Sequence, residues 1–187
     1  MNILSALILA LIIVLAVDCT RAQTSEQKLY QIVLLDVQGL WGGRHLWISL
    51  DSNAVCRFVG PPKEGESGLQ ETRYEFAVPE EQLSSLFELI TKHSFFLIRT
   101  KDRYGVPDEA RPAIFVKSEA KFNAVGKWAN DEHKDFDPIY KFLLKIAESG
   151  KKGKKTYQGT FDWNWKPDRF PENKSILDMT MPKVKKE

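Results

Sequence analysis

His45-Leu46-Trp47-Ile48-Ser49-Leu50-Asp51-Ser52-Asn53-Ala54-Val55-Cys56-Arg57-Phe58-Val59 reads as two strands folded back over a turn. Leu46, Ile48 and Leu50 alternate with polar or aromatic partners, as one face of a pleated strand requires. Asp51-Ser52-Asn53 supplies turn residues, and Ala54 to Val59 returns as the partner strand. A hairpin of this kind predicts antiparallel pairing.

The neighbouring segments extend the same pattern. Tyr30 to Val37 is aliphatic and β-branched, and Arg73 to Val78 alternates with Tyr74, Phe76 and Val78 on one side. Further strands are predicted at Ser94 to Thr100, Pro112 to Ser118 and Lys121 to Trp128, the last two forming a hairpin around Ser118-Glu119-Ala120. Two helices interrupt the strands. The first follows Pro79, with Glu80 and Glu81 at its positive end and Leu83, Leu86, Phe87 and Ile90 at helical spacing. The second begins at Asp137-Pro138, with Asp137 as the acceptor cap, carries Ile139, Phe142, Leu143 and Ile146, and stops at Ser149-Gly150. The order predicts a single α+β domain: a mainly antiparallel sheet of about six or seven strands, with two amphipathic helices packed on one face.

The chain has 187 residues, 43% of them hydrophobic and 28% charged, with a net charge of +2. Collagen, coiled coil and long disorder are excluded by this composition. Ile3 to Val17 is apolar except for Ser5, too short to span the roughly 30 Å hydrocarbon core but suited to a signal peptide. Residues 1–22 are therefore expected to be an export signal, with Gln23 as the mature start after Thr20-Arg21-Ala22. The expected location is secreted or periplasmic, and membrane contact is expected only if residues 1–22 are retained or Cys19 is acylated. Cys19 follows the apolar run as a lipoprotein acceptor cysteine does, although Asp18 stands where that pattern wants a small residue. With Cys19 removed, Cys56 is the one remaining cysteine, and its apolar strand makes it a buried small hydrophobe.

Residues 23–150 form the expected exported domain, with 16 basic and 19 acidic residues. Residues 151–187 differ, with 10 basic against 5 acidic. Lys151 to Lys155 reads as a solvated linker, Thr156 to Phe170 as an aromatic segment that docks back in part, and Met179 to Glu187 as a frayed end.

Two patches could carry function. In an extended chain Phe161, Trp163 and Trp165 share one side, with Asp162 and Asn164 on the other, a layout that suits stacking on a sugar and bonding its hydroxyls. The second is Gly39-Leu40-Trp41-Gly42-Gly43-Arg44-His45, where Trp41, Arg44 and His45 flank free backbone amides. It is the place for a hydrolase site if there is one, although it lacks the ending of a phosphate loop. The oxygen-rich run Asn130 to Asp137 lacks the central glycine and distal glutamate of a calcium loop. His45, His93 and His133 form no zinc spacing, and no nucleophile elbow appears. Asn173-Lys174-Ser175 has the form of a glycosylation acceptor. No cofactor or metal is expected, and the low net charge argues against nucleic acid. The reading is an exported, non-enzymatic domain that binds a protein, peptide or glycan, with a small hydrolase or an envelope lipoprotein as alternatives.

Overall fold

The computed structural model describes residues 30–39, 41–100, 103 and 108–180. The expected signal segment 1–22, Cys19, Gln23 and Leu40 lie outside the described residues. The strands are β1 (Gln31–Gln38), β2 (Gly42–Ile48), β3 (Asn53–Gly60), β4 (Gln70–Ala77), β5 (Ala113–Lys117), β6 (Phe122–Gly126) and β7 (Lys154–Thr160). The helices are α1 (Glu80–Lys92), α2 (Phe136–Ser149) and α3 (Asn173–Thr180). All pairings are antiparallel, in the order β6-β5-β1-β2-β3-β4-β7. The α+β architecture matches the expectation.

Alternation splits the sheet's side chains into two faces, and both are covered. On one face Ile32, Leu34, Leu46, Ile48, Cys56, Ile114 and Val116 pack beneath Leu83, Leu86 and Ile90 of α1 and Ile139, Leu143 and Ile146 of α2. Burying such side chains contributes about 1.5–3 kcal/mol each. On the other face Val33, Leu35, Trp47, Ala113 and Phe115 lie under Phe170 and Ile176, with Trp165 against them. That second cover comes wholly from the C-terminal segment.

The tight β1–β2 turn explains the glycines. Trp41 N donates to Gln38 O at 3.0 Å, and β2 begins at Gly42. Gly42 and Gly43 have φ of 81° and 143°, and a Cβ there would sit 2.2 Å from Val59 O and 2.0 Å from Asp36 O. Only glycine lets the neighbouring strands approach so closely. Gly42 to His45 are thus part of a strand.

Four other expectations are corrected. Ser94 to Thr100 is not a strand: Ser94 is left-handed (φ 48°, ψ 48°), and Phe95–Leu97 is a single 3-10 turn. It drops Phe95 into the core, while Asn123 Nδ2 donates to Phe95 O at 2.9 Å, so a side chain rather than a sheet partner satisfies this backbone. The lysine-rich segment is not a linker either, because Gly150–Lys152 is a 3-10 turn and β7 pairs with β4 along the sheet edge. Lysines on such a strand keep an open edge solvated. Residues 173–180 form α3, with Ile176 fully buried, so Met179 and Thr180 of the expected frayed end belong to a helix, and residues 181–187 lie outside the described residues. Last, α2 starts one residue before Asp137, whose Oδ2 instead accepts from His133 N at 3.0 Å. The N-cap position is Asp135, and Phe136 N donates to His133 Nδ1 at 3.2 Å and to His133 O at 3.1 Å.

Candidate functional site

The second sheet face carries an ionic cluster that the sequence reading did not single out. His45, Arg57 and Arg73 are register neighbours on β2, β3 and β4, and Glu71 lies two residues before Arg73 on the same face. Arg57 Nη1 meets Glu71 Oε2 at 3.1 Å, with both side chains 0% exposed. Arg73 Nε donates to Glu71 Oε1 at 3.0 Å, so one carboxylate holds two guanidinium groups. Arg57 also donates from Nε to His45 Nδ1 at 3.2 Å and from Nη1 to Asp162 O at 2.8 Å. Burial pulls the Arg57 pKa down to about 10 against the opposing pull of Glu71.

Aromatic rings close over these charges. The Arg57 guanidinium lies 4.3 Å from the Phe161 ring centre, and that of Arg73 lies 3.5 Å from Trp165 and 4.1 Å from Tyr157. Trp47 meets Trp165 edge-on at 5.6 Å. The quadrupole of each ring favours the cation beneath it. The aromatic segment is therefore pinned to the sheet by its own arginines.

Pinning separates the three predicted aromatic ligands. After β7 the chain turns, with Trp165 N bonded to Asp162 O at 3.3 Å. Phe161 and Trp165 point inward, whereas Trp163 remains 51% exposed and meets Phe161 edge-on at 4.6 Å. The extended single-sided platform of Phe161, Trp163 and Trp165 does not form. Asp162 is spent on its own turn, its Oδ1 accepting from Asn164 N at 2.9 Å.

The grouping of Trp41, Arg44 and His45 is corrected as well. Trp41 is 76% exposed at the turn. Arg44 and His45 are consecutive strand residues and so lie on opposite faces. Arg44 is on the helix side, 4.0 Å from Glu148 of α2 and beside Asp36, to which Tyr140 donates at 2.9 Å. His45 is buried under the C-terminal segment.

What the structure brings together instead is half of each patch. Trp163 and Asn164 share with His45 a cleft of about 470 Å³, whose walls include Leu35 and Val37 of β1 and Lys166, Asn173 and Lys174 from the C-terminal segment. Ligand pockets commonly measure about 300–1,000 Å³. Burial and the nearby Arg57 hold the His45 pKa well below 6.5, so its ring is neutral. Because Nδ1 accepts from Arg57, the ring proton sits on Nε2, which has no partner among the described residues. Asn173 is 6% exposed, and its Nδ2 donates to Trp163 O and Trp165 O at 3.2 and 3.1 Å. That amide nitrogen is therefore engaged in the folded domain rather than free for glycosylation. Its Oδ1 is buried with no hydrogen-bond partner among the described residues.

The oxygen-rich run is engaged by protein side chains. Asp131 pairs with Arg103 at 2.9 Å, Asp135 with His93 at 3.2 Å and Asp137 with Lys127 at 3.1 Å. Among the described residues, no three His, Cys, Asp or Glu side chains gather to hold a metal ion. Cys56 is buried beneath the helices, where burial pushes its thiol up to about 12.

Arg57, Glu71 and Arg73 escaped the sequence reading, and Asn173 was read there as a glycosylation acceptor alone. The available signal was Arg57 itself: a charged residue in the middle of an apolar strand needs a buried partner.

The fold and cleft define an α+β domain whose C-terminal strap covers one face of an antiparallel sheet. No protein-family model matches the chain, and neither a curated protein nor a solved structure matches it.

Proposed function

We propose that this chain is an exported, non-catalytic binding domain for a peptide or glycan, with the cleft between β1, β2 and the C-terminal segment as its ligand site. The observation that carries this reading is the half-exposed Trp163 beside Asn164, over a cleft with the neutral His45 in its lining. A pinned aromatic ring beside a few polar groups is the usual composition of a small-ligand site. Export rests on the apolar segment Ile3 to Val17 and its small-residue cleavage signal. No helix among the described residues is long and apolar enough to cross a membrane.

Displaying the labelled full chain on combined glycan and peptide arrays tests the reading. It predicts a discrete set of ligands whose signal is lost in Trp163→Ala. Retention of every signal in that variant would remove the cleft from the account.

A further inference from the structure

Resting on the binding reading above, we infer that the cleft takes a sugar residue, with a ligand hydroxyl accepting from His45 Nε2–H while the ring stacks on Trp163. The His45 ring is oriented from behind. Arg57 on β3 holds Nδ1, while Leu35, its register partner on β1, lines the cleft on the other side. The cleft therefore has a fixed donor rather than a ring free to change tautomer. Asn164 adds an amide that both donates and accepts. A hydroxyl does both from one atom, so a ring bearing several of them can satisfy this mixture.

Topology argues against an extended peptide. Peptides that join a sheet pair their backbone with an open edge strand. β1 and β2 are interior strands, and the edges are β6 and β7. The cleft opens over the sheet's face, where no strand backbone is free to pair. The charges point the same way: Arg111, Lys166 and Lys174 share the walls with Glu172 and Asp178, a mixture of both signs that suits a hydroxyl-rich ligand better than a strongly charged one.

The test needs no substitution in the buried cluster. The full chain, labelled with ¹⁵N, is titrated with the strongest oligosaccharide from an array of bacterial, plant and animal glycans, and separately with the strongest array peptide. Imidazole proton–nitrogen spectra are read at His45. The expected result is saturable movement of the His45 Nε2 signal with the oligosaccharide, with Nδ1 remaining the unprotonated nitrogen. Movement with the peptide alone would overturn the sugar assignment and leave the binding reading intact. If neither probe moves His45 or quenches Trp163, both fail. Oligosaccharide binding that quenches Trp163 but leaves His45 still would overturn the role given to His45.

Discussion

The Arg57 guanidinium and the Glu71 carboxylate meet at 3.1 Å between β3 and β4 on the second sheet face, both shut off from solvent. Arg73 shares the same carboxylate, and the rings of Phe161 and Trp165 lie over the two arginines. The C-terminal segment is thereby tied to the sheet, and Trp163 is fixed at the edge of the cleft.

Removing one member of a buried ion cluster leaves the others charged and unpaired, which costs about 3–5 kcal/mol. Glu71→Ala should lower the unfolding free energy by that amount in urea titration. The tryptophan emission should also shift to longer wavelength as Trp165 loosens. Replacing Arg57, Glu71 and Arg73 together by Met, Leu and Met should recover much of the loss, since apolar packing is a fair substitute for a whole buried ion cluster.

Stability should fall in mild acid because of His45. Its native pKa is held well below 6.5 by burial and by Arg57, whereas the unfolded chain takes up the proton near 6.5. Below pH 6.5 the unfolded state therefore binds more protons, and unfolding becomes easier as pH drops toward the native pKa. Asp36, raised by burial, acts in the opposite sense at lower pH. The measurement is thus a difference: melting temperature from pH 8 to 5 in the wild type against His45→Gln, which should lose the His45 part of the slope.

Gly150 follows α2 where the helix end meets the sheet. A Cβ there would stand 2.5 Å from Phe76 Cε1 and 2.6 Å from Cys56 Sγ. Alanine ordinarily gains about 1 kcal/mol over glycine in a helix, but overpacking a filled core costs about 1–3 kcal/mol. The clash should win, and Gly150→Ala should melt lower than the wild type.

Cys56 should be inert in the native state. Its thiol is buried and raised to about 12, so the reactive thiolate is scarce at neutral pH. A chromogenic disulfide reagent should label it only after denaturant is added. Fast native labelling would contradict the packing described beneath α1 and α2.

The elements legible in the sequence were those marked by apolar residues, on one face or, in β1 and β5, on both. β1 to β6 and the helices α1 and α2 announce themselves through Leu46 and Ile48, or through Leu83, Leu86 and Ile90, at fixed periods. Segments whose role depends on a distant partner were not legible. Phe95 to Ile98 is an apolar run compatible with a strand until Ser94 turns it and Asn123 bonds it. Lys154 and Lys155 hide an edge strand because its pairing lies in the backbone, not in the side chains. The site was half visible: Trp163, Asn164 and His45 were each singled out, but in separate groups. Arg57 and Arg73, which draw the C-terminal aromatics over His45, join them only across strand registers.

The most direct measurement is calorimetric titration of the strongest array ligand into the wild type and into Trp163→Ala, whose exposed position should leave the melting temperature nearly unchanged. Loss of one stacked ring should weaken binding at least about tenfold, equivalent to about 1.4 kcal/mol. Equal affinity in two equally folded proteins would contradict the cleft as the ligand site.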